Sequence, residues 1–218
     1  MTGTVTRYLY LVRHGEALRD ESGLTENGRR QAVLLGRRLR EVPFAAVHHG
    51  PLPRAAQTAR LIGEQLGGVP LQVSELAGDY VPYWPQRDEL PPDAADFLLT
   101  FLNASGGEPG GESAEQRSHG PELARQAVER FTGPARPADD SETVRHELVV
   151  THNFLVAWLV RHATDAPAWR WLGLNQANAG LTVIRYAPGR PSSVLCFNDL
   201  RHLPADLRWT GVPPELHV

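Results

Sequence analysis

The sequence predicts an α/β fold: three layers, α/β/α, around a mostly parallel sheet, with a small inserted cap. Three observations point there. Short apolar, β-favouring runs alternate with segments whose apolar residues recur at helical spacing, which is the pattern of strand–helix–strand units. One turn-rich stretch, about 76–112, breaks that rhythm. With 218 residues and 41% hydrophobic content, the chain suits one core better than two, so residues 1–218 are expected to form a single domain.

The elements follow in order. Residues 8–12 form a buried-strand run that stops abruptly at Arg13-His14-Gly15. Thr25 is placed to cap a helix whose stripe of Ala32, Leu35 and Leu39 continues to about Val42. Residues 44–49 read as a second strand. A helix follows from Pro51-Leu52-Pro53-Arg54, with Ala55, Ala59, Ile62 and Leu66 on one face. Residues 69–73 make a third strand candidate and 147–151 a fourth, the latter leading into a helix through Phe154, Trp158 and Val160. Strands at 181–186 and 193–197 close the series across the turn formers Pro188-Gly189-Arg190-Pro191. The cap segment holds one helix, expected over 92–102, and a glycine-rich loop over 105–113. Residues 132–141 read as an exposed loop.

Composition narrows the chemistry. All 22 basic residues are arginine, and no lysine occurs. That excludes a phosphate loop built on lysine, a Schiff-base aldolase and a pyridoxal enzyme. A net charge of -3 gives no global reason to expect nucleic acid or an anionic membrane as partner. The lone Cys196 cannot form an internal disulfide and reads as a packed small hydrophobe. No window reaches the ~18 apolar residues of a membrane span. The amino terminus lacks the pattern of a signal peptide, so a cytoplasmic protein is expected. His48, His49 and His119 lack metal-ligand spacing, and neither metal nor cofactor is expected.

In a parallel sheet, side chains at the carboxyl ends of strands meet in one cleft. His14 sits at such an end, and Gly15 lets the chain turn so that the imidazole faces that cleft. A neutral imidazole there is a competent nucleophile toward phosphorus. Arg54 lies in the first turn of the second helix, where a guanidinium opposes the helix dipole at a cost of up to ~1 kcal/mol that an anion would offset. His152 ends the apolar run Leu148-Val149-Val150-Thr151. Each alone is equally consistent with a structural role.

Together they carry a resemblance. Leu11-Val12-Arg13-His14-Gly15-Glu16, then Leu24-Thr25-Glu26-Asn27-Gly28-Arg29-Arg30-Gln31-Ala32, then Pro51-Leu52-Pro53-Arg54-Ala55-Ala56-Gln57-Thr58, then Val149-Val150-Thr151-His152 resemble, in order, the motifs of the phosphoglycerate-mutase-like histidine phosphatase superfamily, branch 1. The carboxyl half, from Trp169 through Asn175, Asn178 and Asp199 to Leu203-Pro204, is similar to the mitochondrial serine/threonine phosphatase branch.

The resemblance implies a metal-independent phosphatase with a phosphoglycerate-mutase-like sheet. It implies His14 as the phosphorylated nucleophile and Arg13, Arg54 and His152 as phosphate-binding groups. It also implies a carboxyl group after the third strand that protonates the leaving oxygen; Asp79 is favoured over Glu75. Gly111-Glu112-Ser113 resembles the start of the helix that follows the cap, with Ser113 as its cap residue. Two features depart from the family. Asn153-Phe154 stands where many members have glycines, with the Asn153 amide a possible substitute donor. The stretch after Gly15 is short, which argues for a phosphatase over a cofactor-dependent mutase. The substrate is expected to be a phosphorylated small molecule or a phosphoprotein and the assembly a homodimer if any; Tyr80, Tyr83 and Trp84 either wall the substrate site or pack the cap. The competing reading is a phosphate- or phosphoprotein-binding module with little turnover.

Overall fold

A computed structural model describes residues 3–105 and 114–218, with side chains at 105 and 114–117 left aside. Among the described residues one six-stranded sheet runs β3-β2-β4-β1-β5-β6. At its centre β1 (Thr6–Arg13) pairs in parallel with β4 (Val144–Thr151). Beyond β4 lie β2 (Phe44–His49) and β3 (Leu71–Val73), both parallel. On the other side β5 (Leu181–Tyr186) runs antiparallel to β1, and β6 (Ser193–Asp199) antiparallel to β5. The sheet is therefore mixed but mostly parallel.

Both faces are covered, and strand alternation sorts the side chains between them. Leu9 and Leu11 of β1 and Val149 of β4 pack on the side of α4 (Ala114–Phe131) and α5 (Asn153–Ala163), where α3 (Ala95–Ser105) adds Leu102. Val12, Leu148 and Val150 pack on α1 (Glu26–Leu39) and α2 (Pro53–Gly63), against Ala32, Leu35, Ala59 and Ile62. Thr25 does start α1: its Oγ1 accepts from the Gly28 N–H at 3.0 Å.

Several boundaries differ from expectation for local reasons. The first helix ends at Leu39 and not near Val42, because Val42 precedes Pro43 and is steered out of the helical region; its N–H turns back to the Leu39 carbonyl. The second stops at Gly63, so Leu66 packs from a turn leading to Gly67 and Gly68, both at positive φ. Ladder pairing of β3 begins at Leu71, since Pro70 has no N–H to offer. Conversely β4 begins three residues early, at Val144, because the ladder with β1 carries Arg145 and His146 along despite their polarity. The cap helix begins at Ala95 rather than 92, after a turn in which Ala94 N–H meets the Pro91 carbonyl. The stretch 132–141 is not simply an exposed loop: Ala135 is buried and exchanges two backbone hydrogen bonds with Val5. The glycine-rich run 106–113, including Ser113, lies outside the described residues.

Candidate active site

The carboxyl ends of β1, β2 and β4 are tied into one floor. His14 N–H donates to the Thr151 carbonyl at 2.9 Å, and Gly50 N–H to the Val150 carbonyl at 3.1 Å. Gly15 then turns the chain against α1 so closely that a Cβ would sit 2.5 Å from the Gly28 carbonyl oxygen. Its N–H donates to Thr58 Oγ1 at 3.0 Å, and Thr58 in turn donates to the Arg54 carbonyl at 2.7 Å. Gln31 holds the next peptide, accepting from the Glu16 N–H at 2.8 Å. The motif residues on α1 and α2 thus fix the loop that carries His14.

His14 is buried, 7% exposed. Its Nδ1 lies 2.8 Å from the Gly15 carbonyl oxygen, which can only accept, so Nδ1 carries the proton and Nε2 keeps its lone pair. Burial, reinforced by His152 and Arg13 nearby, holds the imidazole far below its ordinary range, down to about 3. The ring is therefore neutral at ordinary pH. His152 lies with its ring centroid 5.0 Å away and is also held near 3, by burial first and then by Arg54 and Arg13. Neither of its ring nitrogens has a hydrogen-bond partner within the protein.

Arg54 is 5% exposed, one residue after Pro53 at the start of α2. One guanidinium nitrogen lies 2.9 Å from Glu21 Oε2 and another 2.7 Å from Asp79 Oδ2. These carboxylates supply the negative charge that an arginine at a helix N-terminus requires. The same Asp79 oxygen is 3.4 Å from His152 Nδ1. Arg13 donates from one nitrogen to the Gln176 and Gly211 carbonyls, at 2.7 Å each, and burial lowers it to about 10, so it stays charged.

Arg13, His14, Arg54, Asp79 and His152 line one cavity of about 470 Å³, with Glu21, Tyr80 and Phe154 among its other walls. Glu75 is exposed in a short turn at Glu75–Ala77 and does not line it. Of the three cap aromatics, Tyr80 lines the cavity, its hydroxyl donating to the Leu76 carbonyl. Tyr83 instead stacks on Trp158 and Trp84 packs against the core, because the cap needs apolar contacts of its own. Asn153 lines the cavity as well; its Oδ1 accepts from the Gln176 N–H at 2.7 Å. Among the described residues no three His, Cys, Asp or Glu side chains are grouped to hold a metal ion. No helix among them is long and apolar enough to cross a membrane.

A family model described as the histidine phosphatase superfamily (branch 1) matches residues 9–199. The chain belongs to that superfamily. Among its histidine phosphatase relatives, the mitochondrial serine/threonine-protein phosphatase Pgam5 of Drosophila melanogaster is 27% identical over 221 residues, spanning 96% of this chain and 69% of the relative. The phosphoglycerate mutase of Bacillus anthracis superposes with a TM-score of 0.66 at 19% identity, covering 92% of this chain and 96% of that one. The alpha-ribazole phosphatase of Shigella flexneri gives 0.63 at 20% identity, covering 88% and 96%. The phosphoglycerate-mutase-like fold is thereby shown.

The roles of Glu21, Gln176 and Asn178 were not legible in the sequence. Glu21 sits at positive φ (58°) in the short loop after His14, and no local pattern marks it as facing Arg54. Asn178 donates to the His14 carbonyl at 3.0 Å, from 164 positions away. The Asn175-to-Asn178 motif flagged that segment without revealing which backbone it would hold.

Proposed function

We propose that the protein is a metal-independent phosphatase that hydrolyses a phosphomonoester through a phosphohistidine on His14. The observation that carries this reading is the Nδ1–H of His14 held on the Gly15 carbonyl. It leaves the Nε2 lone pair of a neutral ring in a cavity ringed by Arg13, Arg54 and His152.

In the first step Nε2 attacks phosphorus, the N–P bond forms and the ester P–O bond breaks. Arg13, Arg54 and the donor nitrogen of His152 hold the phosphoryl oxygens and spread the charge that develops on them. The departing oxygen takes a proton from Asp79. In this structure Asp79 shares Arg54 with Glu21; a bound phosphoryl dianion takes over those donors and leaves the carboxyl group beside the departing oxygen. In the second step Asp79 removes a proton from water, the water oxygen attacks phosphorus and the N–P bond breaks, releasing inorganic phosphate and restoring His14.

The test is turnover of p-nitrophenyl phosphate in the presence of a chelator, with acid-labile phosphoenzyme trapped in parallel. Wild type should turn over and label, and His14→Ala should do neither. Turnover that survives His14→Ala would refute the mechanism. Wild type that binds vanadate without turnover or labelling would instead support a phosphate- or phosphoprotein-binding module.

A further inference from the structure

A second cavity, of about 590 Å³, adjoins the first along Arg13, Asn153 and Phe154, which line both. Its other walls come from distant parts of the chain. Phe97 and Phe101 come from α3, Leu172 from the loop after α5, and Val212 and Leu216 from the carboxyl-terminal segment. Phe154 stands at the junction, with Phe101 edge-on to it at 6.2 Å and Trp171 edge-on at 5.0 Å. Phe97 is 73% exposed and Leu216 42%, an apolar display that costs free energy if nothing covers it.

The polar side chains on the walls of this cavity are Arg13, Asn153, Asn175 and Glu215. Asn153 Oδ1 already accepts from the Gln176 N–H, and one guanidinium nitrogen of Arg13 is committed to two backbone carbonyls. The other side chains on the walls are aliphatic or aromatic and make up most of the lining. A site of this kind selects by burial of apolar surface.

We propose that this second cavity receives the alcohol portion of the substrate, and that this portion carries an aromatic or aliphatic hydrocarbon group. The inference rests on the phosphatase reading for its anchor: the phosphoryl group sits on Arg54 and Arg13 in the first cavity, and the ester substituent passes Phe154 into the second. Specificity is then set by Phe97, Phe101 and Leu216, none of which lines the phosphate site.

Non-hydrolysable phosphonates test this without turnover. Methylphosphonate probes the phosphate site alone, and 1-naphthylmethylphosphonate probes both cavities. Calorimetry on wild type should show the naphthyl compound binding about tenfold tighter or more, as burial of an aromatic ring predicts. The ratio should fall toward one in Phe97→Ser and in Leu216→Ser. Both positions are partly or largely exposed, so folding should tolerate the changes, and thermal unfolding checks it. A wild-type ratio within twofold of one, or a high ratio that survives both substitutions, overturns the subsite while leaving the phosphate site standing. Failure of both phosphonates to bind overturns the phosphate site and the subsite with it. p-Nitrophenyl phosphate turnover, measured separately, reports on the phosphatase reading.

Discussion

Two histidines held neutral side by side make acid stability a direct readout of the site. His14 and His152 are 7% and 2% exposed and lie near 3 in the folded protein, against an ordinary 6.5. Between those values the unfolded chain binds more protons than the folded one, so stability falls as pH drops below 6.5. From pH 7 to pH 5, proton uptake by the unfolded state alone costs about 2 kcal/mol per histidine, or about 4 kcal/mol for the pair. That figure is insensitive to the folded values as long as they stay below ~4, because neither ring then titrates in the folded state over this interval.

The perturbation is the double replacement His14→Asn with His152→Asn, and the assay is urea unfolding of both proteins at pH 7, 6 and 5. The double variant should lose about 4 kcal/mol less stability than wild type over the interval, whatever its stability at pH 7. Other histidines lowered by burial, such as His202 at about 4, add the same slope to both proteins and cancel. Parallel curves would refute the reasoning, since they would mean that the two rings titrate in the folded protein much as they do in the unfolded chain.

Three further outcomes are expected. Asp79→Asn should lower kcat/KM on an alkyl phosphate by about 10² to 10⁴-fold and on p-nitrophenyl phosphate far less, because p-nitrophenolate leaves without a proton; Glu75→Gln should change neither, and the reverse pattern in steady-state kinetics would move the assignment. Glu21→Gln frees one nitrogen of Arg54, and because the pair is largely exposed on the Glu21 side, vanadate inhibition should tighten by at most about fivefold. Weaker inhibition would show that Glu21 positions Arg54 rather than competes for it. Gly15→Ala places a Cβ against the Gly28 carbonyl, backbone on backbone, and should destabilise by about 2 kcal/mol or more, read as a fall in Tm; an unchanged Tm would show that the His14 loop is free to move away from α1.

Much of the architecture was legible because it depends on short-range patterns. The strands at 44–49 and 181–186 are where the apolar runs put them, and Thr25 caps its helix as its hydroxyl allows. The errors fell where tertiary pairing overrode local character, as in the polar start of β4 carried by its ladder with β1. The cap aromatics could be read from the sequence as a ligand wall or as cap packing, and Tyr83 and Trp84 take the second role.

At the site, the sequence by itself determined which groups stand at strand ends and helix starts. Arg13, His14, Arg54 and His152 are delivered to one cleft by the parallel order of β2, β4 and β1, a consequence of strand–helix alternation that needs no contact map. Only the tertiary structure decided the tautomer of His14, through the Gly15 carbonyl. It also decided which carboxylates face Arg54, since Asp79 and Glu21 lie 25 and 33 positions from it and meet it through loops without a periodic pattern. Periodicity encodes which face a side chain takes; the distance between two loops is set by the core that both rest upon.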